Sequence, residues 1–222
     1  MTNYTKQCSA VIALWLAALA AGTANADNDF GMGVKAGTLG LGLEASWQPL
    51  PYLELRVGGN AYEYDDEGSQ AGINYKGTLQ LDSYYGTANF HFPISPMRVT
   101  VGVFSNGNEM QLLNDDGMDK NVGGVVYPGA AVGNLSSTTS FASTAPYLGI
   151  GFDFTLGGKI GMNLDFGVLW QGDPDVTLEA SGPIAADPGF QAALEAERQD
   201  LEDEMSDFKA WPVLSLGFVY RF

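Results

Sequence analysis

Trp211-Pro212-Val213-Leu214-Ser215-Leu216-Gly217-Phe218-Val219-Tyr220-Arg221-Phe222 closes the 222-residue sequence and alternates between two kinds of side chain. Pro212, Leu214, Leu216, Phe218, Tyr220 and Phe222 make one face, large and apolar. Trp211, Val213, Ser215, Gly217, Val219 and Arg221 make the other. Successive side chains of a strand point to opposite sides of a sheet, so this period of two marks a strand between unlike environments.

The same pattern recurs upstream. Ile160, Met162, Leu164, Phe166, Val168 and Trp170 oppose Gly161, Asn163, Asp165 and Gly167. Leu148, Ile150, Phe152 and Phe154 oppose Tyr147, Gly149, Gly151 and Asp153. Met97, Val99, Val101 and Val103 oppose Arg98, Thr100 and Gly102, and Leu53, Leu55 and Val57 oppose Glu54 and Arg56. Nearer the start, the apolar parity changes between Phe30–Ala36 and Leu39–Trp47. A one-residue slip flips every side chain, so a tight hairpin at Gly37-Thr38-Leu39-Gly40 is expected there. In residues 75–92, Leu79 and Leu81 disagree in parity with Tyr84, Ala88 and Phe90, which predicts a bulge near Asp82.

Eight strands follow, at about 30–37, 40–48, 52–64, 76–92, 97–108, 144–154, 159–171 and 209–222. Short connections at 48–51, 93–96 and 155–158 alternate with others that include two very long ones. An even strand number, short turns at one rim and long loops at the other predict an all-β, eight-stranded antiparallel up-and-down transmembrane barrel. A water-soluble barrel with an apolar interior is the competing arrangement. Two features favour the membrane. Gly33, Gly40, Gly42, Gly58, Gly102, Gly149, Gly151, Gly161, Gly167 and Gly217 share the charged face, as a crowded narrow lumen requires. Trp47, Tyr52, Phe90, Phe92, Phe154, Tyr220 and Phe222 gather near the short turns, where membrane-interface aromatics belong.

Composition agrees. Lys6, the apolar run Ala10–Ala21 and Ala24-Asn25-Ala26 read as an export signal over residues 1–26, cleaved after Ala26, which leaves residues 27–222 as one barrel domain. The apolar run is too short for a helical membrane span. The net charge of −16 argues against nucleic-acid binding, which needs a basic footprint. Cys8, the single cysteine, falls in the signal, so the mature chain is expected to have no disulfide or thiolate metal site. No cofactor or metal is expected.

With these residues in view, the chain resembles the small eight-stranded outer-membrane barrels of the OmpA/OmpX and OmpW type across residues 27–222. The ending Leu214-x-Leu216-x-Phe218-x-Tyr220-Arg221-Phe222 is similar to the terminal assembly signal that the barrel-assembly machinery reads. The opening Gly37-Thr38-Leu39-Gly40-Leu41-Gly42 is similar to that of uncharacterised proteobacterial members. The resemblance implies the cell outer membrane of a Gram-negative bacterium, with lipid and lipopolysaccharide as surroundings, and no particular activity.

Lys35, Arg56, Arg98 and Arg221 would meet Glu44, Glu54, Asp153 and Asp165 on the inward face. Unpaired charges in a poorly hydrated lumen are costly, so mutual pairing is expected. The cluster serves either as a polar plug that closes the lumen or as a selectivity filter or salt-bridge gate; the plug is the reading adopted. Some barrels of this size are lipid A hydrolases or acyltransferases with a histidine toward the outer leaflet. His91, the single histidine, is placed at the opposite rim with no serine beside it at triad spacing, so no enzyme is expected.

The last long loop carries an amphipathic helix. Asp187 caps it, Pro188 suits its first turn, and Phe190, Leu194, Leu201, Met205 and Phe208 share one face. Its other face is acidic, with Arg198 alone as a base, so the apolar stripe must dock on the outer rim or a partner. Residues 187–208 are also a candidate extracellular or divalent-cation contact. Asn114–Asp119 lacks the spacing of an EF-hand and reads as a turn. Residues 108–143 are expected to extend two strands as a surface hairpin. The functional expectation is a structural or surface-interaction barrel; the alternative is an uptake channel for small solutes or small hydrophobic molecules.

Overall fold

A computed structural model describes residues 30–70, 73–114 and 117–222; the expected export signal lies outside the described residues. The elements in chain order are β1 (Phe30–Gly37), β2 (Gly40–Leu50), β3 (Leu53–Gln70), β4 (Ile73–His91), β5 (Met97–Asn106), β6 (Glu109–Asn114), β7 (Lys120–Val122), β8 (Val125–Tyr127), α1 (Gly129–Val132), β9 (Leu135–Ser140), β10 (Thr144–Gly157), β11 (Ile160–Trp170), β12 (Asp175–Ala180), α2 (Pro188–Glu204), a 3-10 turn (Met205–Lys209) and β13 (Ala210–Arg221).

Eight of the strands close a barrel in the order β1-β2-β3-β4-β5-β10-β11-β13, every neighbouring pair antiparallel. The seam is β1 against β13, from Gly31 opposite Arg221 to Gly37 opposite Ser215. The hairpin between β1 and β2 turns through Thr38 and Leu39, with Gly37 opposite Gly40. Gly40 takes φ +94°, a conformation that costs glycine little and a branched residue much.

The two faces point as their chemistry requires. Val34, Leu41, Val57, Val103, Leu148 and Leu214 stand outward and exposed, whereas Arg56 and Arg98 are only 4% and 0% exposed. An apolar belt around the whole barrel far exceeds the patches that water-soluble proteins tolerate, so the soluble, oily-centred alternative is excluded.

The bulge expected near Asp82 is absent. β3 and β4 pair without interruption from Gln70 opposite Ile73 to Leu53 opposite Phe90. On the other side of β4, Ser83 opposite Asn106 and Gln80 opposite Glu109 belong to one register. Leu79 and Leu81 differ in parity from Tyr84 because they lie on the inner face, with Tyr85. The inner face turns apolar toward the long-loop rim, so chemistry changes along the strand while geometry does not. The irregularities fall at the short-turn rim, between Trp47 and Leu50 and between Thr155 and Gly157.

The long-loop side is more built than expected. β6 continues the line of β5 along β4, and β9 and β12 add to it, so β3-β4-β6-β9-β12 project as a sheet above the barrel. The β6–β9 pair is the surface hairpin expected of residues 108–143. Its far end folds into the β7–β8 hairpin and α1. Asp187 accepts hydrogen bonds from the Gly189 and Phe190 amides (2.9 and 3.0 Å), which satisfies orphan donors at the start of α2. Phe190 and Leu194 bury against Val122 and Val132, with Tyr127, Leu135 and Leu178 packed around them. The stripe thus docks into a second core made by the loops themselves, while Phe208, at its end, stays exposed.

Candidate functional site: the barrel lumen

Inward positions of all eight strands meet along the axis. Toward the short-turn rim, β3 supplies Glu54 and Arg56, β5 supplies Arg98, and β10 and β11 supply Asp153 and Asp165. Arg56 contacts Glu54 at 2.8 Å, Asp153 at 3.4 Å and Glu44 at 3.6 Å. Arg98 contacts Asp153 at 2.8 Å and Asp165 at 2.7 Å, and donates to Thr100 Oγ1 and Asn89 Oδ1. Lys35 lies 3.9 Å from Glu44 and 3.9 Å from the Tyr85 ring centroid. Glu44 also accepts from Tyr85 Oη (2.9 Å) and Asn163 Nδ2 (3.2 Å). Buried charges persist only when paired and hydrogen-bonded like this.

Seven of the eight inward charges read from the sequence therefore meet in one cluster. Arg221 stands apart: among the described residues no ion pair joins it to the cluster, and it lines the pocket below. Glycines make room for the large groups. A Cβ on Gly151 would sit 2.4 Å from the Arg98 guanidinium, and one on Gly149 or Gly167 would sit 2.4 Å from Tyr147 Oη.

Above the charges lies a layer that the sequence reading missed. Leu39, Tyr85, Phe104, Ala145, Tyr147, Leu169 and Val213 bury together, with Trp211 against them. Tyr85 and Phe104 stack at 4.9 Å, and Phe104 meets Tyr147 at 5.4 Å. The signal was present, since Tyr147 and Val213 occupy inward parity, but faces described by their charges hide an apolar layer. The lumen is thus ionic below and aromatic above.

An open pocket of about 510 Å³ enters from the short-turn rim, lined by Gln48, His91, Ser95, Asp153, Thr155 and Arg221 among others. His91 Nε2 lies 3.4 Å from Glu54 and Nδ1 3.5 Å from Asp153. Ser95, in the turn between β4 and β5, lines the same pocket. Ser95 Oγ accepts from the Met97 amide at 3.1 Å, and both imidazole nitrogens face carboxylates, so the histidine is not directed at the hydroxyl. Glu54, His91 and Asp153 bring donor atoms within 4.8 Å of one another. Each of these carboxylates already serves an arginine at 2.8 Å, so an added dication would meet two guanidinium groups.

The interface aromatics Trp47, Tyr52, Phe90, Phe92, Phe154, Tyr220 and Phe222 are all exposed on the outside, near the short-turn rim. Phe30 stacks on Trp47 at 6.2 Å, and Tyr220 meets Phe222 at 5.4 Å. Leu214, Leu216 and Phe218, from the terminal motif, point outward from β13.

The architecture is that of the small outer-membrane β-barrels. Among solved structures, CarO2 of Acinetobacter baumannii matches with TM-score 0.60 and 21% identity over 87% of this chain and 98% of that one. CarO of the same organism matches with TM-score 0.58 and 23% identity over 86% and 97%. At these identities the likeness is one of fold. No protein-family model and no curated protein matches the chain.

Proposed function

We propose that this chain is an exported, non-enzymatic, integral outer-membrane barrel whose lumen is held shut and whose work is structural or interactive, done by the cap above the barrel. The observation that carries the reading is the orientation of the two faces: hydrocarbon-compatible side chains all round the outside, and Arg98 fully buried on the axis. Outer-membrane lipid and lipopolysaccharide would surround the belt. The barrel-assembly machinery would read Leu214, Leu216, Phe218, Tyr220 and Phe222. The acidic face over residues 187–208 is the proposed extracellular or divalent-cation contact.

The test is fractionation with outer membranes and heat-modifiable gel migration of the folded protein, with mature-chain sequencing expected to begin at Asp27. In planar bilayers the wild type is expected to show no conductance steps. The uptake-channel reading draws support from the pocket at the short-turn rim. That pocket ends at the ion cluster and the aromatic layer, both of which must part before a solute crosses. Steady conductance by the unmodified protein would favour the channel.

A further inference from the structure

The sheet above the barrel has two edges, and the fold treats them differently. The β12 edge is covered: α2 lies along it, and Glu202 accepts the Val176 amide at 3.3 Å. The β3 edge is not. β2 stops pairing with β3 at Leu41 opposite Ala61, while β3 runs on to Gln70 with β4 as its partner on one side only. Among the described residues nothing pairs with the other side of β3 over residues 62–70. The Ala61 carbonyl points toward β2, near Gly40, and in an antiparallel ladder alternate residues send their polar groups the same way. Glu63, Asp65, Glu67 and Ser69 therefore direct backbone N–H and C=O at open space, along about 30 Å at ~3.3 Å per residue.

An unpaired edge of this length is a template for strand addition. We propose that it binds an extended basic peptide segment of a partner protein as an added strand. Charge selects that occupant. The described residues of 61–82, 107–143 and 171–209 carry 18 acidic side chains against 4 basic ones, a net charge of −14 above the barrel. Glu63 and Asp65 stand on one face of the edge, and the half-exposed Tyr62 and Tyr64 on the other. An incoming lysine or arginine meets a carboxylate on the first face and an aromatic ring on the second. A second copy of the same edge would set acid against acid, and like charges opposite one another in a sheet are destabilising. The acids thus select against self-pairing as well as for a basic strand.

This deepens the surface-interaction reading and rests on the cap facing outward. The probe is a twelve-residue peptide of alternating lysine and valine, titrated onto the folded full-length protein in detergent with amide exchange followed on β3. Binding is expected to protect the Glu63, Asp65, Glu67 and Ser69 amides. Glutamate-for-lysine peptide is expected not to bind, and a backbone N-methylated peptide or Asp65→Pro to bind at least tenfold more weakly. Equal binding of the N-methylated peptide, or saturation without protection of β3, would overturn strand addition. That comparison stands even if Asp65→Pro fails to fold. A tag inserted between β3 and β4 that antibody does not reach on intact cells would sink the outward-facing reading, whatever the peptide result.

Discussion

Arg98 shows most directly what holds the lumen. It is 0% exposed and touches Asp153, Asp165, Asn89 and Thr100, so its removal strands two carboxylates without their main partner. Arg98→Ala is expected to cost about 3–5 kcal/mol of folded stability, the range for breaking a buried pair, measured by urea unfolding in lipid or detergent. A wild-type unfolding midpoint would show that the cluster is not a plug. Gly149 belongs to the same argument from the other direction. Gly149→Ala sets a methyl group into Tyr147 Oη, and overpacking of this kind costs about 1–3 kcal/mol. In the cap, hydrogen bonds from Arg198 and Gln199 lower the Glu195 carboxyl from 4.5 to about 2. A lowered carboxyl favours the folded cap above the unfolded value and loses that contribution as pH falls through the folded one. The Glu195 carboxyl is therefore expected to titrate near pH 2 by NMR, and to return to the ordinary range in Arg198→Ala.

Strand and helix obey different solvents in this chain. Leu148, outward on β10 and opposite Val101 and Val168, lies midway between the rims. On the membrane reading, Leu148→Arg is expected to cost about 2–4 kcal/mol in lipid, the penalty for a charge at mid-bilayer on the outside of a barrel. The helix α2 answers instead to water and to the loops. Its anchor Phe190 is 1% exposed in a core that shares no residue with the barrel interior. Phe190→Ala is expected to cost the cap about 3–5 kcal/mol and open residues 188–209 to protease, while heat-modifiable migration of the barrel is retained. Loss of both together would mean that the two cores fold as one.

At the scale of the molecule, the charge distribution and the two cores divide the labour. The barrel interior nearly balances its ions, and its exterior carries a broad apolar belt. The cap holds a large acidic excess, which on the proposed outward orientation faces whatever approaches the cell. Along the lumen, the buried Arg56 and Arg98 are followed by the buried Tyr85–Phe104–Tyr147 layer.

Much of this was legible from alternation alone. The strand positions, the turn at Gly37–Gly40, the side each residue faces and the capped helix at Asp187 are all local, because a period of two and a cap motif are properties of neighbouring residues. The order of the ladders followed from short connections. Three things were not local. Leu79 and Leu81 looked out of phase because the inner face changes from ionic to apolar along its height, and only the assembled barrel shows which inward residues share a level. Arg221 missed the ion cluster because partners across a lumen are set by strand stagger, which no single strand records. The free edge of β3 is a property of where β2 stops. The sequence determined which side chains face oil and which face the axis, since that depends on parity; tertiary structure decided which of them meet, since that depends on closure of the sheet.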